Sequence, residues 1–327
     1  MRQVYPNIFQ IKIPLRGNPL KELNCHIVKG ERRNLIIDTG FNQPEGRALL
    51  LAALEQAGCA PDDTDIFITH LHVDHSGLVG AVKTERNRAY ASAYDAAAIN
   101  GTFHLVPEAG EALKKNPRYE MMGFTEQDGD VGGSHPALRN RVEREIDFTA
   151  VAEGDRIDLG GFCFEVVEFP GHTPGLVGLY ERSRKILFPG DHILGKITPN
   201  ITFWNFDFDA LGVYIQSLRK ARAMAVDYLF AAHRFYVEDH VVRVNQLLAH
   251  HDRRLLEVRE LIKREAKTAY EVAAGMQWDF GGGNFLDFPV AQKFFAAGEA
   301  MAHLEHLVFL CEAERLQQGQ ILYYKML

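Results

Sequence analysis

Thr69-His70-Leu71-His72-Val73-Asp74-His75-Ser76-Gly77 puts three imidazoles and a carboxylate within six consecutive positions. The segment leaves Asp65-Ile66-Phe67-Ile68, a short apolar run of the kind expected for a strand buried on both faces, and leads into an expected helix. In an extended or looping backbone alternate residues project to the same side. His70 and His72 can then share one metal ion while the following turn aims Asp74 and His75 at a second. A lone histidine is by default a hydrogen-bonded core or surface residue, and that reading serves for any one of the 14 here. It does not serve for this cluster, because three histidines and an aspartate leaving one apolar strand are costly to bury without a cation to organise them. Imidazole with carboxylate suits zinc, iron or manganese better than calcium or magnesium, which favour oxygen alone.

Upstream, Asn24 to Lys29, a polar turn at Gly30 to Arg33 and the apolar Leu35-Ile36-Ile37 read as a hairpin, and Glu45 to Ala57 reads as a helix. Downstream, from about residue 100 to 147, the pattern breaks into glycine, proline and charge with neither period. This is an insertion, read equally as a lid over the site or as a structural elaboration. Strand patterns return at Phe162 to Phe169, Leu176 to Tyr180 and Lys185 to Phe188. A helix with Leu211, Tyr214, Ile215, Leu218 and Ala221 on one face follows, then a short strand from Tyr228 to Ala231.

From Val241 the composition shifts to a long charged helix with Val244, Leu247, Leu248, Leu255, Val258 and Ile262 on one face. A helix begun by Thr268, a Gly281-Gly282-Gly283 break and a last long helix follow, the last with Val290, Phe294, Ala297, Met301, Leu304, Val308 and Cys311 in register. Ile321 to Tyr324 reads as a closing strand. The expected domains are 1–240, which carries the metal cluster, and 241–327, helical and winged-helix-like.

Composition narrows the functional classes. With 327 residues, 46% hydrophobic and 24% charged, the chain is ordinary globular material. A formal net charge of −7 gives no general pull toward nucleic acid or an anionic membrane. Cys25, Cys59, Cys163 and Cys311 lack CxxC spacing and point to free thiols in a reducing compartment. Met1 to Leu20 alternates polar and apolar residues and has no signal-peptide apolar stretch, and no run approaches membrane-span length. A cytoplasmic location is expected. Phe203, Trp204, Phe206 and Phe208 read either as an aromatic wall near the metals or as core, with core slightly preferred. The mixed charges from Asp252 to Glu265 read as a solvated helix face.

HxHxDH after a hydrophobic strand resembles the motif of the metallo-β-lactamase superfamily, in its glyoxalase II-like form. Asp38-Thr39-Gly40, Pro170-Gly171-His172-Thr173-Pro174-Gly175 and Gly190-Asp191-His192 are similar to its further motifs and stand in the same order. The resemblance implies an αββα sandwich with a smaller helical domain behind it. It assigns His70, His72 and His172 to one ion, Asp74, His75 and His233 to a second, and Asp191 to both. The flanks of His233 differ from the family pattern, which leaves His240 as a competing ligand. Asp38 is the candidate for supporting a ligand from behind, with a turn or cap aspartate as the alternative. Two divalent ions are implied, zinc first, with iron and manganese as alternatives, and Asp74 and Asp191 as catalytic carboxylates. The implied reaction is hydrolysis of an ester-like bond, a thioester first, in a small molecule, with a hydroxide bridging the ions as nucleophile. Cleavage of RNA or another phosphodiester and a mono-iron persulfide dioxygenase are the alternatives, a binding module with a vestigial site is a third reading, and a homodimer is left open.

Overall fold

The computed structural model describes residues 1–103, 117–125, 128, 139–278 and 285–327. By compactness the chain divides into two interleaved units, described separately below. The first comprises Met1–Leu105, Pro136–Pro199 and Ser217–Val244. The second gathers Asn200–Gln216 and Asn245–Leu327 with the described part of 106–135.

The first unit holds two sheets. Strands β1 (Arg2–Tyr5), β2 (Ile8–Pro14), β3 (Glu22–Val28), β4 (Asn34–Ile37), β5 (Thr64–Phe67), β6 (Ala89–Ser92) and β7 (Phe148–Val151) line up in sequence order. Pairing is antiparallel from β1 to β4 and parallel from β4 to β7. The second sheet runs β12 (Tyr228–Leu229), β11 (Ile186–Phe188), β10 (Val177–Glu181), β9 (Cys163–Glu168), β8 (Arg156–Asp158). The apolar runs of β4 and β5 are explained by burial on both faces. Leu35, Ile37 and Phe67 turn toward Phe164, Val166, Leu179 and Phe188 of the second sheet. Ile36 and Ile66 turn the other way, onto Leu50 and Leu54 of helix Pro44–Ala57 and onto Val79 and Val82. That opposite-face alternation follows from the two-residue strand period. Ser217 and Lys220, on the last turns of helix Ala210–Ala223, bond Pro170 O and Glu153 and give the second sheet its outer helical layer. The result is an αββα sandwich.

Three expectations change. Met1 to Leu20, read from sequence only as an alternation of polar and apolar residues, holds two strands, β1 and β2. The closing strand β14 (Ile321–Met326) has a partner, β13 (Ala313–Gln318), which sequence reading misses because Ala-Glu-Arg-Leu-Gln-Gln is exposed at all but its first position and carries no apolar alternation. The last helix, Val290–Phe309, is buried on every side from Ala296 to Leu307 rather than along one stripe. Ala296, Ala297, Gly298, Ala300 and Ala302 allow that close approach, and the polar residues among them are matched by partners: Glu305 by Arg315 and Tyr324, His306 by Asp209, and His303 by His251 and the Glu299 carbonyl. The Thr268 cap is present as a full capping box with Glu271. Gly281 to Gly283, and much of the insertion, lie outside the described residues. Among those described, no helix is long and apolar enough to cross a membrane.

Glu299 gives the second unit a testable pH dependence. Its buried carboxyl lies 3.8 Å from Arg254 Nε and 3.2 Å from Asn200 Nδ2, and burial still pushes it from 4.5 up to about 7. A raised folded-state value means that its stabilising contribution is full below the ordinary value of 4.5 and is lost as pH rises through about 7. Glu299→Gln, neutral throughout, is expected to gain on wild type by on the order of 2–3 kcal/mol between about pH 5 and about pH 8. Thermal melts across that range read the difference, and a difference that stays constant with pH contradicts it.

Candidate metal centre

Strand ends bring the site together, all within the first unit. Because β4 and β5 are parallel with Ile37 opposite Phe67, the residues that follow them, Asp38 and Thr69, emerge side by side. Asp38 takes the left-handed conformation, φ 58°, which aspartate tolerates better than most side chains. The chain then runs through His70 to His72, which starts helix Val73–Ser76, and that turn carries Asp74 and His75. His172 sits between β9 and β10, Asp191 just after β11, and His233 just after β12, where it bridges back to Leu23. Gly190 has φ 56°, and a Cβ there would lie 2.8 Å from Thr69 Cβ, so only glycine lets Asp191 approach the His70 strand end so closely.

The side chains fall into two groups that share a member. His70 Nε2 and His172 Nε2 each face His72 Nδ1 at 3.0 Å, and Asp191 Oδ2 is 3.8 Å from His172 Nε2. On the other side, His233 Nε2 is 3.2 Å from His75 Nε2 and 3.5 Å from Asp74 Oδ2, and Asp191 Oδ1 lies 3.5 Å from His75 and 3.4 Å from His233. One aspartate thus presents one oxygen to each group. Ligand atoms about 2.1 Å from a tetrahedral ion lie roughly 3.4 Å apart, which is the spacing found here. Asp191 Oδ1 is buried without a hydrogen-bond partner among the described residues, as an oxygen reserved for a cation would be. The donor set, five imidazoles and two carboxylates, fits zinc, iron or manganese. His240 does not join: its Nε2 faces the Met224 carbonyl at 3.1 Å, so of the two competing candidates the cluster contains His233.

A layer behind the ligands fixes their tautomers. Asp38 Oδ2 accepts from His75 Nδ1 at 2.8 Å, which turns Nε2 inward, and the Glu22 carbonyl does the same for His233 at 2.9 Å. Thr69 Oγ1 donates to Asp38 and lies 3.1 Å from His70 Nδ1, so one carboxylate orients a histidine of each group. Between the two readings of Asp38, the geometry places it behind the ligands. The sequence marks Thr69 only as part of the motif, and Glu22 acts through its backbone, which leaves no trace in side-chain identity. Asp95, absent from the sequence reading, lies beneath both histidine loops. Its one sequence signal is the capping pattern Ser92-x-x-Asp95.

The electrostatics suit a cation. Burial, then neighbouring His75, His72, His172 and His233, push His70 well below the ordinary histidine range, leaving a neutral ring with a free lone pair. At His75 burial opposes charge, but Asp38, Asp191 and Asp74 outweigh it and hold the ring well above that range. Burial likewise opposes charge on Asp191, and His233, His75 and His172 more than reverse it, keeping the carboxylate ionised. A field that holds a proton on His75 also attracts a metal ion.

Phe203 packs against Phe206 at 4.9 Å, with Arg118 over the first ring and Arg315 over the second, so these aromatics pack within the second unit. On the long helix Lys263 pairs with Glu260 in solvent, as a solvated face requires, whereas Arg254 is buried and pairs with Glu257, so the expected solvated face does not extend to it.

A family model described as the metallo-beta-lactamase superfamily matches residues 22–233, which run from the carbonyl behind the last histidine to that histidine itself. The chain belongs to the metallo-beta-lactamase superfamily. Similar curated proteins include acyl-coenzyme A thioesterase MBLAC2 of Bos taurus, 30% identical over 51% of this chain and 57% of its own length. Hydroxyacylglutathione hydrolase GloC of Haemophilus influenzae is 37% identical over 60% of this chain and 77% of its own. The match thus spans little more than half of the first of these relatives. Among solved structures, a metallo-beta-lactamase family protein of Thermus thermophilus superposes with a TM-score of 0.82 at 24% identity, over 99% of this chain and 100% of that one. That likeness shows the metallo-beta-lactamase fold.

If Asp38 holds ligands of both groups, Asp38→Ala should weaken zinc binding about 10–100-fold. Competition with a chromophoric chelator measures this, and unchanged affinity rules out the assignment.

Proposed function

We propose that this protein is a metal-dependent hydrolase that cleaves a thioester in a small molecule. The observation that carries the reading is Asp191 between two groups of three ligands, His70, His72 and His172 on one side and Asp74, His75 and His233 on the other. The thioester is favoured by the relatives named above as an acyl-coenzyme A thioesterase and a hydroxyacylglutathione hydrolase. Bound there, a pair of divalent ions, zinc by preference, supplies Lewis acidity toward a carbonyl oxygen and a water of near-neutral pKa. The protein's part is to hold and orient. Asp191 and the histidines fix the geometry, while Asp38, Thr69 and the Glu22 carbonyl lock the rings so that little reorganisation is needed during reaction. His72 is the one ligand that is half-buried rather than buried, which puts the opening to substrate on its side. Asp74 Oδ2 lies 3.5 Å from His233 Nε2 in the second group, and in the proposed reaction the carboxylate takes the proton of the attacking water and returns it to the thiolate leaving group.

Residues 1–240 carry the reaction and the helices with the β13–β14 hairpin form a winged-helix-like module. The protein works in the cytoplasm, in keeping with four free thiols. Its partner is the small-molecule substrate.

Elemental analysis beside hydrolysis assays on acyl-coenzyme A and hydroxyacylglutathione thioesters, a lactone and a phosphodiester tests the proposal. Two ions per chain with preferred thioester turnover is the expected result. Preferred phosphodiester turnover replaces the substrate class, and a single iron with oxygen uptake replaces the reaction.

A further inference from the structure

The loop with His70 and His72 and the loop with His172 leave different strands, and one buried carboxylate that belongs to neither ligand group touches both. Asp95 is 0% exposed on the first turn of helix Ala93–Phe103, where its N–H donates to the hydroxyl of Ser92 at 3.1 Å. In a capping pattern of this spacing the carboxylate ordinarily turns back to the N–H of the cap residue. Here it turns away. It accepts a hydrogen bond at 3.3 Å from Oγ1 of Thr173, the neighbour of His172 in the second loop. The backbone N–H of Leu71, the residue between His70 and His72, favours its ionised form, while Oδ1 has no hydrogen-bond partner among the described residues. The second loop is pressed onto this carboxylate: a Cβ on Gly175 would lie 2.7 Å from Asp95 Oδ1 and 2.4 Å from Ser92 Oγ. A carboxylate buried this deeply is costly, and the Thr173 hydrogen bond and the electrostatic pull of the Leu71 N–H that offset the cost both come from residues beside the three-histidine group.

We propose that Asp95 is a positioning residue that ties the His70–His72 loop to the His172 loop and thereby sets the affinity of the three-histidine group for its ion. The inference rests on the metal-binding part of the proposed function and is independent of the bond that is cleaved. The second group, Asp74, His75 and His233, is held instead by Asp38 and the Glu22 carbonyl, so the two ions respond differently to changes at Asp95.

The test is a zinc titration of the full chain against a chromophoric chelator, with the absorption spectrum of the cobalt-loaded protein as a second readout. Thr173→Val removes the tie at nearly constant volume, Asp95→Leu removes it with a bulkier apolar side chain, and Asp95→Asn keeps an acceptor oxygen. Thr173→Val and Asp95→Leu are expected to weaken one of two binding steps about 10–100-fold and to alter the cobalt bands of that site. Asp95→Asn should restore most of the affinity. Melting temperatures of the metal-free proteins separate this from general damage, and if Asp95→Leu does not fold, Thr173→Val decides. Two binding steps of wild-type affinity in Thr173→Val, or equal weakening of both steps in proportion to lost metal-free stability, overturns the proposal. A wild type that binds two ions but hydrolyses no thioester removes the reaction proposed above and leaves this inference standing. A wild type that binds no ion overturns both.

Discussion

Asp191→Ala is expected to lower hydrolytic kcat on the order of 10³-fold, the upper end of what losing one transition-state donor costs, since both ions lose a ligand at once. Among the described residues, no other side chain in the centre stands within 4 Å of both groups through separate oxygens, at 3.8 Å from His172 on one side and 3.4 Å from His233 on the other. The variant should also bind fewer than two ions, because two cations this close repel each other without the intervening negative charge. Asp191→Asn, similar in shape and neutral, should fall between wild type and alanine in affinity. Steady-state kinetics with elemental analysis of the same samples checks both statements, and a variant that keeps two ions and wild-type kcat removes Asp191 from the role of bridge.

The second large effect lies under the site. Phe188, 1% exposed on β11, packs against Phe164, Phe230 and His26 with ring centroids at 6.0, 5.2 and 5.2 Å. Phe188→Ala should cost about 3–5 kcal/mol, the usual range for emptying a packed aromatic site in a core. Against a total stability of roughly 5–15 kcal/mol this is a large fraction. The urea midpoint should fall with little change in slope, whereas Leu49→Ala, at a position 41% exposed on helix Pro44–Ala57, should stay within about 0.5 kcal/mol. A Phe188→Ala loss below about 1 kcal/mol would mean that the space between the sheets is not packed as described.

How much of the molecule is legible in its sequence depends on where each signal resides. The ligands of the motif are readable because metal chemistry demands particular side chains at short spacing, and His70 to His75 lie in one segment. His172, Asp191 and His233 are placed through the family resemblance, since nothing local in the sequence joins residues so far apart. The choice between His233 and His240 needs coordinates. Both follow the short strand β12, and only the bridge from His233 to Leu23 shows which one turns inward. Doubly buried β4 and β5 are legible as apolar runs, while β13 is not, because an exposed strand need not carry an apolar pattern. The all-round burial of Val290–Phe309 is hidden for a different reason. Alanine and glycine fit a buried face and an exposed one equally well, so a stripe of larger residues dominates the pattern. Asp95 and Thr69 matter through hydrogen bonds to neighbours distant in the chain, and sequence spacing does not record those.

The most direct measurement is anomalous diffraction at the zinc edge from crystals of the zinc-loaded protein. Two peaks about 3.5–4 Å apart are predicted, one against His70, His72 and His172, the other against Asp74, His75 and His233, with Asp191 touching both. A single peak, or two peaks that leave Asp191 without a metal contact, would contradict the dinuclear centre on which the proposed hydrolysis depends.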